Sequence, residues 1–264
     1  MKQTVLSTEI KQSILKEMEN AFGVHYKSMK LAVRSSAIGE DGEELSSAGQ
    51  NETYLGISGF QNICEAVVNC WASQFTYIAA VYKRQYGQLL NPGMAVVIQE
   101  MIPAEVAGVI FTHDPTTGNP GHIIITANYG LGETVVSASA EPDTFIMNRS
   151  FDGKLSGKEK ILGSKSVQIV QNKNGTETIS VKSEKSDKLC LSDEQCLELG
   201  LMGILVELSF GSARDIEWCI THGQIYFLQA RPITSLDPSS DFEIMHEFDS
   251  PIKTELEHCT KANT

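Results

Sequence analysis

The sequence predicts an α+β fold, a β-rich body flanked by helices. Three observations lead there. Apolar residues recur at steps of three and four in three separate stretches, the spacing of a helix with one apolar face. Between and after them lie short β-branched runs separated by clusters of Gly, Pro, Asn and Asp. The run ARDIEWCITHGQIYFLQARPIT, at 213–234, then reads as a hairpin of two alternating strands around His222 and Gly223.

At 264 residues the chain is long enough to bury a substantial core as one large domain or two modest ones. A net charge of −12 argues against adsorption to nucleic acid or to an anionic membrane, both of which need a concentrated cationic surface. The six cysteines form no Cys-x-x-Cys pair and have no His at a zinc-like spacing, so reduced thiols are expected. The first residues, MKQTVLSTEIKQ, contain no apolar leader core, and no window approaches the ~20 apolar residues of a membrane span. A soluble cytoplasmic protein is expected, in which the sequon at Asn51 carries no meaning.

Taken in order, Ile10, Ile14, Met18 and Phe22 follow Ser7 and Thr8 and precede Gly23, predicting a helix over 8–22. A short apolar run at 31–33 delivers Arg34, with Ser35 and Ser36 beside it, to a polar segment reaching Gln50. An Arg at a strand end ordinarily makes a surface ion pair, and the two hydroxyls add an oxyanion contact as an alternative. From Phe60 the positions Ile63, Val67, Trp71, Phe75, Ile78 and Tyr82 predict one long helix ending at Gly87, its aromatics in the core. Asn91-Pro92-Gly93 breaks the chain. MAVVIQEM at 94–101 reads as a buried strand and VAGVIFT at 106–112 as a second, with Ala104-Glu105 as a tight connection between them.

Residues 113–121 are dense in turn formers, and a strand over 122–128 follows. NYGLGET, at 128–134, is a glycine turn whose amides could approach a phosphate; it is not a dinucleotide fingerprint, because Val135 stands where a third glycine is required. A strand at 143–149 precedes a turn at Asp152-Gly153, and 167–171 pairs with 177–181 across Asn174-Gly175. The charged stretch 183–188 reads as a loop. Ser192 with Gln195 is a capping box opening an apolar helix that runs to Leu208 and stops before Gly211.

The two hairpin strands carry Asp215 and Glu217, then Gln229 and Arg231. Turn parity decides whether these four converge, since a one-residue slip moves every side chain to the other face. A two-residue turn pairs Ile216 with Gln229 and splits the set. A three-residue loop, His222-Gly223-Gln224, pairs Glu217 with Gln229 and Asp215 with Arg231, and that is the loop expected here. Two carboxylates and an amide oxygen then suit Mg²⁺, which takes one or two carboxylates plus water and substrate phosphates. Arg231, with Arg34, would meet phosphate. An Asp-x-Glu face is common on solvent-facing strands, so the spacing by itself does not assign this role.

Four ordered runs do more: LAVRSSAIGEDGEELSSAGQNETYL, VVIQEMIPAEVAGVIFTHDPTTG, NYGLGETVVSASAEPDTF and ARDIEWCI with GQIYFLQARPIT. Together they resemble the nucleotide-binding domain of the phosphoenolpyruvate synthase and pyruvate phosphate dikinase family, nearest its rifampicin phosphotransferase-like branch. The resemblance covers about 31–234. It implies an ATP-grasp fold in which two subdomains hold ATP and Mg²⁺ between them. Carried over by motif, Arg34 contacts phosphate, and Gln99, Glu100, Met101 and Ile102 form the hinge that reads adenine. Asp215 and Glu217 ligate magnesium, Gln229 meets metal or phosphate, and Arg231 meets phosphate; Arg34 and Arg231 are the candidate catalytic groups. NYGLGET and Thr112 are expected to line the cleft.

The same resemblance sets the expected organisation: an incomplete first subdomain over 1–98, a hinge at 99–102, a second subdomain over 103–235 and a linker at 236–264. Family members begin with a Gly-Gly-Lys-Gly type segment, which has no counterpart before Arg34. None of His25, His113, His122, His222, His246 or His258 lies in the Thr-x-x-Gly-x-x-x-His context of the family's phosphohistidine swivelling domain, the expected partner. The expectation is thus a fragment of an ATP-dependent phosphotransferase that converts ATP to AMP, phosphate and a phosphorylated acceptor, inactive alone. The alternative is a non-catalytic nucleotide-binding or interaction module derived from that family.

Overall fold

A computed structural model describes residues 6–38, 52–85, 87, 89, 93–173 and 175–233. The polar segment 39–50 with the sequon's Asn51, the Asn91-Pro92 break, Asn174, Thr234, and the linker 236–264 with His246, His258 and Cys259 lie outside the described residues. The fold is α+β, with antiparallel strands in its sheets.

The first part of the chain builds a three-stranded sheet, with β1 (Leu31–Ala37) between β2 (Thr53–Ile57) and β3 (Met94–Glu100). Two helices cover one face, α1 (Thr8–Phe22) and α2 (Phe60–Ser73). Ser7 caps α1 by accepting from the Ile10 amide at 3.3 Å, and Gly23 ends it at φ 59°, as the sequence predicts. Leu31 and Val33 are fully buried against Met18, Tyr26, Ile63, Val67 and Cys70. Strand alternation therefore turns Ala32 and Arg34 to the opposite face.

The predicted long helix is two helices. The chain turns at Gln74–Thr76, where the Phe75 and Thr76 amides bond back three residues, and the Thr76 hydroxyl accepts from Ala79 N to start α3 (Tyr77–Gln85). Periodicity continued through the break, but the aromatics beyond it do not reach the core. Phe75 and Tyr77 are exposed, while Trp71 is half-buried and donates to the Met94 carbonyl. β3 is likewise not fully buried; its residues alternate, with Val97 exposed.

Residues 101–105 carry the chain out of this sheet, not around a tight hairpin, because β3 pairs with β1 and β4 (Val106–Phe111) pairs elsewhere. β4 lies within a six-stranded sheet with β5 (His122–Tyr129), β6 (Asp143–Arg149), β7 (Leu155–Ile161), β10 (Arg214–Thr221) and β11 (Gln224–Pro232), in the order β11-β10-β4-β5-β6-β7. β4 and β5 approach so closely at Gly108 that a Cβ there would stand 1.7 Å from the Thr126 carbonyl oxygen. The sequence reading missed β7, whose residues LSGKEKI are charged and mostly exposed, as an edge strand permits.

One face of this sheet packs against α6 (Asp193–Phe210), with Ile110, Ile125, Phe145, Ile216, Trp218 and Leu199 in the core between them. The capping box of Ser192 and Gln195 is formed, and Gly211 closes the helix in the left-handed region at φ 78°. Residues 167–171 do pair with the following strand: β8 (Val167–Asn172) and β9 (Gly175–Ser180) make a separate hairpin. α4 (Glu133–Val136) and α5 (Ser183–Ser186) are single turns, α5 lying in the stretch expected to be a loop. Among the described residues no helix is long and apolar enough to cross a membrane.

Candidate functional site

The β10–β11 hairpin has the pairing that the four polar residues require, by a different route from the one expected. Its turn contains two residues, His222 at φ 50° and Gly223 at φ 76°, with Thr221 opposite Gln224. From the turn outward, Ile220 faces Ile225 and Trp218 faces Phe227; then the register shifts, and Glu217 faces Gln229 and Asp215 faces Arg231. Leu228 is the extra residue of a β-bulge. Burial dictates it. Ile225, Phe227 and Ala230 all pack toward the core under α6, and only an extra residue between Phe227 and Ala230 keeps both sides of that gap in phase. The bulge leaves Leu228 and then Gln229 on the opposite side, where Arg231 follows.

That side faces the three-stranded sheet. Arg34, turned away from its own helices, donates through Nη1 to Glu217 Oε2 at 2.9 Å and to Gln229 Oε1 at 2.8 Å. Hydrogen bonds to charged groups of this kind contribute ~1.5–3 kcal/mol each. Gln99 adds a second link from β3, its Nε2 donating to the Leu228 carbonyl at 3.4 Å. Arg231 is engaged on its own strand pair, where Nε and Nη2 each stand 2.9 Å from Asp215 Oδ2.

Between the two sheets lies a cavity of about 380 Å³. Arg34 and Glu217 line it, together with Gln99 and Glu100 of β3 and Met101 and Ile102 of the connecting segment. The Met101 amide is committed to the Lys30 carbonyl at 3.0 Å, and the Ile102 carbonyl accepts from Ala104 N at 2.9 Å. Gln229 reaches the site through Arg34, while Asp215 and Arg231 lie outside the lining.

Another part of the lining comes from NYGLGET. Asn128, fully buried, donates to Thr134 Oγ1 and to the Val167 carbonyl, both at 3.0 Å, and so pins the turn that carries α4. Gly130, at φ 77°, lets the backbone pass where a Cβ would come within 2.2 Å of the Ile169 carbonyl oxygen. Leu131, Gly132 and Glu133 thereby enter the lining. Thr112 does not: it is fully buried at the end of β4, where its hydroxyl accepts from the Arg214 amide. The sequence reading passed over Thr53, Leu55 and Cys219, which also line the cavity. Position on alternate residues of β2, and two residues beyond Glu217, was the available signal. Burial pushes the Cys219 thiol up to about 11, so it presents a neutral S–H.

The donor set suits a magnesium–nucleotide ligand. Glu217 Oε2 and Gln229 Oε1 already converge on one cationic nitrogen, and hard oxygens of this type are what Mg²⁺ takes alongside phosphate. Arg34 Nε is buried without a hydrogen-bond partner among the described residues, leaving the guanidinium donor capacity to spare. Among the described residues no group of three or more His, Cys, Asp or Glu side chains is placed to hold a metal, so phosphate oxygens would have to complete the coordination.

Residues 1–250 match the family described as pyruvate phosphate dikinase, AMP/ATP-binding domain. The chain belongs to that family. Within it, the chain is 38% identical over 252 residues to the phosphoenolpyruvate synthase of Pyrococcus furiosus, covering 92% of this chain and 30% of that protein. It is 35% identical over 239 residues to the rifampicin phosphotransferase of Bacillus subtilis, covering 90% of this chain and 27% of that protein. A probable phosphoenolpyruvate synthase of Methanocaldococcus jannaschii is 40% identical over 208 residues, 78% of this chain and 17% of that protein. The pyruvate phosphate dikinase-type domain described here thus spans less than a third of the length of these relatives. The cavity, Arg34 and the hairpin all fall inside the matched region.

Proposed function

We propose that this chain is the ATP-binding part of an ATP-dependent phosphotransferase with an ATP-grasp arrangement, in which 1–98 and 103–235 are the two subdomains and 99–102 the hinge. The observation that carries the reading is Arg34 of one sheet meeting Glu217 and Gln229 of the other beside a cavity lined in part by the connecting segment. In this reading the adenine edge is read by backbone groups of Glu100–Ile102 other than the Met101 amide and the Ile102 carbonyl, which are already bonded within the chain. Arg34 holds phosphate oxygens and Glu217 and Gln229 provide the oxygen donors for Mg²⁺, while Arg231 and Asp215, paired with each other outside the lining, would take up phosphate and metal only after that pair opens. Mg²⁺ bound there neutralises charge on the phosphates.

The chain's own residues then orient the phosphates and shield them from water, which is most of what phosphoryl transfer asks of a protein. The phosphoryl group passes to a histidine on a swivelling domain supplied by a longer protein, as the relatives' lengths allow. Alone, the chain binds Mg·ATP without completing a transfer cycle.

Calorimetric titration with Mg·ATP tests the reading. The wild-type chain should bind, and Glu217→Ala should weaken binding by at least about tenfold, the loss of one charge-assisted ligand. No binding, or binding indifferent to the substitution, would leave the non-catalytic interaction module as the better account.

A further inference from the structure

The geometry points to a competition built into the cleft: Arg34 holds the seat of the divalent cation when nucleotide is absent, so the site takes the cation only together with nucleotide phosphates. The inference rests on reading the cleft as a magnesium–nucleotide site and adds an order to its filling.

The two oxygens that would face the cation, Glu217 Oε2 and Gln229 Oε1, both accept from the same Arg34 nitrogen at 2.9 and 2.8 Å. A hard divalent cation on those oxygens would sit at ~2.1 Å from each, inside the volume that Nη1 fills. The two cations exclude each other. Displacing Arg34 also has a consequence of its own, because only 17% of its side chain is exposed and its Nε is already buried without a partner among the described residues. A guanidinium pushed off its carboxylate in such a place is an uncompensated charge, which is costly until a new acceptor arrives.

Local charge gives the same answer. At the contact itself Glu217 is already matched by the Arg34 guanidinium and Asp215 by Arg231, while the other two carboxylates of the lining, Glu100 and Glu133, are exposed to solvent. Asp215 is buried and takes two contacts from Arg231, so it does not stand ready for a bare cation. A divalent cation placed on Glu217 by itself would leave the displaced Arg34 guanidinium without its carboxylate partner, in surroundings where charge is poorly screened. Nucleotide phosphates repair both faults at once. They give Arg34 a forked acceptor and give the cation its missing oxygens. Cation and phosphate therefore strengthen each other's binding, and by linkage the effect is the same in either direction.

Removing Arg34 should accordingly create a cation site that needs no nucleotide. Mn²⁺ serves as the probe, since carboxylate and carbonyl oxygens accept it as they accept Mg²⁺, and free Mn²⁺ is counted by electron paramagnetic resonance. The full chain is titrated with Mn²⁺ alone and with Mn²⁺ plus a non-hydrolysable ATP analogue. Arg34→Ala, and Arg34→Gln as the variant closer in volume, should each bind Mn²⁺ alone about tenfold more tightly than wild type. Adding Glu217→Gln to either should abolish that gain. In the wild type, the analogue should raise Mn²⁺ affinity by more than it does in the variants. Folding of each variant is checked by its thermal melt.

If neither folded variant binds Mn²⁺ alone more tightly than wild type, while wild type still binds Mn²⁺ with the analogue, the competition is wrong and the nucleotide reading stands. If wild type binds no Mn²⁺ even with the analogue, the nucleotide reading fails and takes the competition with it.

Discussion

Acidification should draw on one carboxylate above the others, Glu207. It sits in the last turn of α6, where the helix dipole disfavours negative charge. Burial raises its pKa, but the approach of the polar His113 and Thr112 side chains, with the hydrogen bond and charge of Arg149, outweighs burial and holds the carboxyl at about 2, down from its ordinary 4.5. Arg149 Nη1 stands 2.8 Å away on β6 and His113 Nε2 at 3.6 Å beyond β4, so this carboxylate ties α6 to the sheet. Because the folded value is depressed, the stabilisation is fully present above pH 4.5 and is lost as pH falls through about 2. The interval corresponds to ~3 kcal/mol, taken as an upper figure, and only 12% of the side chain is exposed to screening. Urea denaturation of wild type and Glu207→Gln across that range is the assay. The wild type's advantage should shrink by up to ~3 kcal/mol between about pH 5 and about pH 2. An advantage that stays constant over the range would refute the reasoning.

Two further substitutions test the packing. Leu199→Ala, at a fully buried position under the sheet, should cost ~2–5 kcal/mol, whereas Leu205→Ala on the outer face of α6, 63% exposed, should cost under ~0.5. Denaturation midpoints that rank them the other way would contradict the orientation of α6. Lys165→Met should cost ~3–5 kcal/mol because it strands the buried Asp143 carboxylate, which also accepts from the Gly163 and Cys190 amides. Lys165→Met with Asp143→Leu should recover part of that loss, and a neutral single variant would show that the pair contributes nothing.

How much was legible beforehand differs from element to element. The ends of α1 and α6 were, because Ser7, Gly23, the Ser192–Gln195 box and Gly211 act on amides and carbonyls within one turn of themselves. The α2–α3 break was not. The three- and four-residue spacing of Phe75 and Ile78 continues the pattern of Val67 and Trp71, and only exposure distinguishes the two halves. β7 was missed because its stability comes from pairing with β6 and contact with α6, not from apolar residues of its own. Family membership was legible in the order of four motifs, each a local string.

The hairpin divides most clearly between the two sources of information. Sequence alone determined which residues carry charge, where two strands lie, and that Glu217 should face Gln229 if the set is to converge. It pointed to the wrong loop. Turn length and strand register are linked only while the ladder is regular, and the bulge at Leu228 breaks that link to keep Ile225, Phe227 and Ala230 in one core. The meeting of Arg34 with Glu217, 183 residues apart, was decided by the tertiary structure alone. No local signal connects them. Each is turned outward because the other face of its own strand is buried, and they meet because two sheets, one covered on its far side by α1 and α2 and the other by α6, leave their remaining faces to each other.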